Sequence, residues 1–316
     1  MRLPSPVPGS DEWVALRRSG LGATDAAVVT GRSPFASPYD KFAEMSGTTV
    51  PKIATDAMRW GMILQPVVGK AWAAEHERKV KANNHTYWLE PGIYSHYDFD
   101  LVGAPEILEV KTASQFAARE WGEQGTDQVP EAYALQCQHE IMVRPGIVRC
   151  HLAVLIGGQK LQSYIVERDD ELIEDLLRIE RRFYADAIRG IPPDMDGSEA
   201  ATEYLRGLNP RDTGEKIDLT DEVESLALAY LAASASEKAA GEEKATAANR
   251  LREAMGANAL GVGRSVKVSY KSSKDRVEIA WREVVADLAP PQEVLDRHTT
   301  IKEGNRPLIV TPLEAA

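Results

Sequence analysis

Cysteine is nearly absent from this 316-residue chain, which has only Cys137 and Cys150, and they form no CxxC pair. That excludes a disulfide framework and any four-cysteine zinc or iron–sulfur centre. No apolar run approaches the roughly 20 residues needed to span a bilayer, and no basic-then-apolar leader opens the chain. The expectation is a cytoplasmic protein with no membrane partner. Positive charge is also scarce: 37 Lys and Arg against 48 Asp and Glu give a formal net charge of −11. Residues 1–190 carry 21 basic against 26 acidic residues, and the remainder 16 against 22, so no basic tail hides in the total. This excludes a protein that coats a polyanion by bulk electrostatics, but leaves room for a local basic track.

The hydrophobic fraction of 43% is ample for a core. From Asp169 to Arg189 apolar residues recur once per helical turn, at Leu172/Ile173, Leu176/Leu177, Phe183/Tyr184 and Ala187/Ile188, which predicts a helix with one buried face. The Gly190–Gly197 stretch after it holds two prolines among glycines and aspartates, so it stops the helix. This places a domain boundary between residues 190 and 191. Thr220 to Met255 is rich in Ala, Glu, Lys and Leu, with an N-cap threonine, early acids and Gly256 beyond its end, predicting one long helix or a helical hairpin. Ser265–Tyr270 alternates as a strand, and Pro290-Pro291 interrupts the chain beyond it. Residues 191–316 thus read as a helical and small-β appendage for packing or oligomerisation.

Chemistry concentrates between Tyr94 and Thr112. Gly103-Ala104-Pro105 divides this stretch into two strand-like runs, predicting a hairpin. In the second run side chains alternate, so Ile107, Glu109 and Lys111 share one face while Leu108 and Val110 take the other. Asp98, on the first run, can sit beside Glu109. Two carboxylates and a backbone carbonyl form an oxygen-rich nest suited to Mg²⁺. A hard cation supplies a hydroxide nucleophile and relieves charge in phosphodiester hydrolysis, and a neighbouring lysine orients or deprotonates the attacking water. An isolated Glu-x-Lys on a strand reads equally well as a solvated ion pair.

Four further stretches stand in order around this one. Asp11–Arg17 followed by Gly20–Ala26 resembles a W-x-x-L-R and G-I-x-x-S-D opening, Trp60–Pro66 a W-G-x-x-x-E helix, and Val129–His139 a P-x-x-Y-x-x-Q-x-Q helix. Together they resemble the lambda exonuclease and YqaJ-type viral recombinase nucleases of the PD-(D/E)XK superfamily, with similarity to the nuclease part of RecE, across residues 10 to 190.

The resemblance implies an α/β restriction-endonuclease-like core, a mixed sheet flanked by helices, acting as a Mg²⁺-dependent 5′→3′ exonuclease on linear double-stranded DNA. It implies two metal ions, with Mn²⁺ able to substitute, held by Asp98, Glu109 and the Val110 carbonyl, with Lys111 catalytic; the family's spacing to Glu109 makes Asp98 the metal-site acid and Asp100 its weaker competitor. Gln136 lies near the scissile phosphate, and Tyr133 one turn earlier faces the same cleft. Arg17 and Thr24 match positions that contact the 5′ phosphate. His96, two residues before Asp98, is a DNA contact or an ordinary strand histidine. Arg119 is a phosphate candidate and Trp121 lines the DNA path, whereas Trp13, Trp60 and Trp72 read as core. Gln65 stands where the family has a metal-site glutamate. A neutral amide lowers cation affinity, as a tolerated variation of this branch or as an inactivating one. Implied partners are duplex ends, a RecT/Beta-like single-strand annealing protein and further copies of the chain in a trimeric or tetrameric ring, in a phage or prophage setting. A non-catalytic end-binding protein and an endonuclease of the same superfamily are the alternatives.

Overall fold

The computed structural model describes residues 1–48, 55–273, 279–300 and 307–312, and the chain divides into two compact units, Met1–Leu208 and Asn209–Ala316. The first contains β1 (Arg2–Pro4), α1 (Asp11–Arg18), α2 (Asp25–Val29), α3 (Pro38–Ser46), α4 (Asp56–Glu75), β2 (Val80–Ala82), β3 (His85–Glu90), β4 (Ile93–Ser95), β5 (Phe99–Leu101) and β6 (Glu106–Ala113). A 3₁₀ helix (Gln115–Glu120), α5 (Glu131–Val143), β7 (Arg149–Ile156), β8 (Lys160–Glu167), α6 (Asp170–Ile188) and α7 (Glu199–Leu208) complete it. The second unit holds α8 (Asp221–Met255), the antiparallel pair β9 (Leu260–Val262) and β10 (Lys267–Ser269), α9 (Trp281–Leu288) and α10 (Gln292–His298). No described helix is long and apolar enough to cross a membrane.

The central sheet runs β2-β5-β6-β7-β8. Only β6 and β7 pair in parallel, joined through α5, and the other pairings are antiparallel. A three-stranded sheet, β1-β3-β4, stands apart from it. This mixed sheet between helices is the class of architecture the motifs imply. Strand parity explains the layering. Leu108 and Val110 pack with Val68 and Trp72 of α4 on one face, while Ile107 packs with Cys137 and Ile141 of α5 on the other.

The predicted hairpin is β5–β6, but its first run is shorter than expected. The chain leaves β4 at Ser95, crosses from the small sheet to the large one, and begins β5 at Phe99. The helix expected from Asp169 is α6, capped by the Asp169 side chain, which accepts from the Glu171 and Leu172 amides. Thr220–Met255 is one helix rather than a hairpin, capped by Thr220. The first compact unit runs beyond residue 190. Proline and glycine do end α6, yet α7 returns Ala201 and Tyr204 onto Tyr39 and Phe42 of α3. Two tryptophan readings are corrected. Trp60 is 54% exposed on α4, because Trp72 and Val68 occupy the face that meets the sheet. Trp121 is 7% exposed, sandwiched by Tyr133 and Tyr164, so it belongs to the core and not to a DNA path.

A buried ion network fixes the N-terminal helices. Lys41, on α3, lies 2.9 Å from both Asp25 and Glu44 and donates to the Arg17 carbonyl, while Arg17 bridges Glu44 and Asp25. Burial raises the Asp25 carboxyl, but Lys41 and Arg17 outweigh it and hold the group below the usual range. Its contribution is thus complete above about pH 4 and fades as pH falls through the depressed value. Asp25→Asn removes one partner of a buried pair. It is expected to lower unfolding free energy at pH 7 by about 3 kcal/mol and to flatten the acid limb of stability, read by denaturant titration at several pH values.

Candidate metal-dependent active site

The site forms where β5 stops pairing with β6. The last pairs are Asp100↔Ile107 and Phe99↔Leu108, so Asp98 lies just past the ladder, level with Glu109. The Val110 amide donates to Asp98 Oδ2 at 2.7 Å in place of a strand partner. A residue's N–H and C=O point to the same edge of an extended strand, so the Val110 carbonyl faces that side too. Asp100, the competing acid, is occupied elsewhere by the Tyr97 hydroxyl at 2.7 Å and by Arg144.

Helix α4 brings Gln65 to this point, where its side-chain amide donates to Asp98 Oδ1. The approach depends on Gly69: a Cβ there would sit 2.5 Å from the Phe99 ring. From the opposite face α5 brings Gln136. Lys111 Nζ donates to Glu109 Oε1 at 2.9 Å and to Gln136 Oε1 at 2.8 Å, and Gln136 Nε2 donates to Glu109 Oε1 at 2.8 Å. The expected constellation of Asp98, Glu109, Lys111 and Gln136, with Gln65 beside it, is thus assembled.

Its electrostatics are those of a site short of positive charge. Burial, then the neighbouring charge of Glu109, pushes the Asp98 carboxyl well above the usual range against the opposing pull of Lys111, Val110 N–H and Gln65. Burial lowers the Lys111 ammonium's pKa, but Glu109 and then Asp98 more than reverse this, leaving it above its ordinary value. Glu109 Oε2 is buried without a hydrogen-bond partner among the described residues. An orphaned carboxylate oxygen beside a second, charge-strained carboxylate and a backbone carbonyl is an all-oxygen donor set, which suits a hard divalent cation such as Mg²⁺. The residues fit the ion.

A cleft of about 580 Å³ meets this cluster at Gln65, Asp98 and Gln136 and is lined also by Arg17, Thr24 and His96. Thr24 is exposed at the start of α2. Arg17 is not free: it holds Glu44 through two hydrogen bonds and lies over the Trp13 ring at 5.2 Å. The exposed His96 accepts from or donates to Ser5 Oγ at 2.7 Å. Tyr133 lies behind Lys111, its ring 5.3 Å from Nζ, and outside the cleft lining. Arg119 is exposed on the 3₁₀ helix and likewise outside it. Two contributors escape the sequence reading. Ser5 to Pro8 line the cleft, and no motif marks them. Glu140, fully buried, accepts from Gln136 Nε2 at 2.9 Å, and the Gln136-to-Glu140 helical spacing is its one signal.

The chain matches the YqaJ-like viral recombinase domain over residues 12–144. It is 33% identical over 217 residues to the uncharacterized protein YqaJ of Bacillus subtilis strain 168, an alignment covering 66% of this chain and 67% of that protein. The chain therefore belongs to the YqaJ-like viral recombinase family. Similar solved structures include an alkaline exonuclease from Laribacter hongkongensis, at 17% identity and a TM-score of 0.46, covering 63% of this chain and 100% of that one. A phage-related exonuclease from Haemophilus somnus 129PT aligns at 13% identity and a TM-score of 0.41, covering 54% and 96%.

Because the Asp98 pKa is raised in the folded state, its ionisation favours unfolding: stability is greatest below the unfolded value and declines as pH rises through the folded one. Asp98→Asn retains acceptance from Val110 and, with Gln65 turned over, a bond to that amide. It is expected to raise the melting temperature of the metal-free protein at pH 7 and to abolish any further rise on adding Mg²⁺, both read by thermal denaturation in EDTA and in excess Mg²⁺.

Proposed function

We propose that this protein is a Mg²⁺-dependent exonuclease that degrades one strand of linear duplex DNA from the 5′ end, leaving 3′ single-stranded tails for a strand-annealing protein. The observation that carries the reading is the Asp98–Glu109–Lys111 cluster beside a cleft whose lining Asp98 and Gln136 share with Arg17 and Thr24. Carboxylates and phosphate-binding groups in one cleft suit a substrate that presents a phosphate beside the bond to be cut.

A divalent cation at the carboxylate pair supplies an activated water and neutralises charge on the phosphoryl oxygens. Around it, Asp98 and Glu109 would be the holding carboxylates with the Val110 carbonyl as a neutral oxygen donor, and Gln65, whose NH₂ now faces Asp98, would join them only with its amide turned over. Lys111, with its raised pKa, stays protonated at neutral pH. Its role is to orient the water and stabilise developing negative charge, rather than to accept the water's proton. Gln136 keeps the ammonium aligned. Arg17 must exchange part of its Glu44 contact for phosphate, which favours a doubly charged terminal phosphate over an internal diester. His96 and Thr24 are hydrogen-bonding groups in the same cleft lining, and Arg119 serves DNA only if the duplex extends past the cleft.

The acidic composition is compatible with processive action if copies of the chain close around the duplex, because topology then replaces charge in retaining it. Cytoplasmic location in a bacterial host, a trimer or tetramer, and residues 191–316 as a packing or oligomerisation element belong to the same proposal. Gln65 carries the second reading, in which weak cation affinity leaves end binding without turnover.

The test is digestion of a linear duplex bearing a 5′ phosphate, in Mg²⁺ or EDTA, by the natural sequence, Lys111→Ala and Gln65→Glu. Metal-dependent release of mononucleotides from the 5′-ended strand is expected, falling by at least about 100-fold in Lys111→Ala. Digestion by Gln65→Glu alone identifies a disabled enzyme; retention of ends by all three without digestion identifies a binding protein. Cutting of circular duplex contradicts the exonuclease assignment.

A further inference from the structure

Glu140 is a carboxylic acid at 0% exposure in the apolar core between α5 and β7. Burial and the charge of Glu109 push its carboxyl well above the usual range. No cation pairs with it among the described residues. On one side its Oε1 accepts from Gln136 Nε2 at 2.9 Å. On the other, Oε2 lies 3.9 Å from Cys150 Sγ, and the ligand atoms of Cys137, Glu140 and Cys150 all fall within 4.8 Å of one another. Placing an acid there costs stability, and an apolar side chain of similar volume would fit the surroundings better.

The compensation lies in the orientation of Gln136. A carboxamide has one acceptor end and one donor end that differ little in shape, so its direction is set by its partners. Gln136 Nε2 meets two carboxyl oxygens, Glu109 Oε1 at 2.8 Å and Glu140 Oε1, which use both amide hydrogens, while Gln136 Oε1 accepts from Lys111. Turning the amide over would set its NH₂ against the Lys111 ammonium and its oxygen against two acids. With Glu109 alone, one amide hydrogen is left unpaired and the side chain regains rotational freedom inside a buried site.

We propose that Glu140 is a positioning residue, which locks the Gln136 carboxamide with its oxygen toward Lys111 and thereby fixes the ammonium beside the reacting phosphate. The proposal rests on the nuclease reading for its kinetic consequence, but the lock itself does not. The far oxygen lies against Cys150 Sγ at 3.9 Å, and no cation among the described residues competes with Gln136 for Glu140.

The test compares Glu140→Met, which keeps volume and removes the acceptor, with Glu140→Gln, which keeps a carbonyl oxygen at the same reach. For duplex digestion, Glu140→Met is expected to lower kcat by roughly 10- to 100-fold, the usual cost of losing a group that orients an active-site side chain. KM is expected to stay near its original value and melting temperature to hold or rise, while Glu140→Gln restores most of the lost kcat. Independently of activity, the Gln136 side-chain amide protons are expected to be protected from exchange in ¹⁵N NMR spectra of the natural protein and exposed in Glu140→Met. Full kcat in Glu140→Met, a loss that tracks a fall in melting temperature, or equal losses in both variants overturns the proposal. If the natural protein digests nothing, the nuclease reading fails, and the exchange measurement still decides whether the lock exists.

Discussion

Everything at this site depends on two carboxylates held together where a strand ladder ends. Asp98 and Glu109 are brought level by β5–β6 register, one residue past the last pair, and the price is visible in the raised Asp98 pKa and the orphaned Glu109 oxygen. A folded protein tolerates such a pair only if the surrounding packing enforces it. Here the enforcement comes from both faces of the sheet: α4 through Trp72, Val68 and the tight passage at Gly69, and α5 through Cys137 and Ile141. The same two helices deliver Gln65 and Gln136, so packing and site assembly are one process.

The charge arrangement then explains why the cluster contains a lysine. With Lys111 bonded to Glu109 and Gln136, the centre has one cation for two acids before any metal is counted. That leaves room for added positive charge and keeps the ammonium protonated. Arg17, elsewhere in the cleft lining, illustrates the complementary strategy. Its guanidinium is paired with Glu44 and Asp25 and lies over the Trp13 ring, which orients it, so the phosphate contact proposed for it would be an exchange of partners.

Much of this is legible in the sequence where local rules govern. Alternation along Ile107–Lys111 assigns Glu109 and Lys111 to one face because a strand allows no other arrangement. Capping residues locate α6 and α8 for the same reason. The features that escape are decided by long-range packing. The return of α7 onto Tyr39 and Phe42 comes after two prolines that locally read as a boundary. Trp60 and Trp121 exchange their expected environments because burial depends on which helix face meets the sheet and on how the segment after β6 folds back. Glu140 is silent in sequence because its meaning depends on Gln136, Glu109 and Lys111 meeting in space. Ser5 reaches His96 only because β1 joins the small sheet.

The central claim is that the Asp98–Glu109 pair is where the divalent cation binds. Its most direct test is a crystal of the protein grown with Mn²⁺ and a 5′-phosphorylated duplex end, with the ion located by anomalous scattering. The expected result is a peak at the Asp98–Glu109 carboxylate pair. A peak at the Cys137–Glu140–Cys150 cluster instead, or an empty carboxylate pair with DNA seated in the cleft, would contradict it.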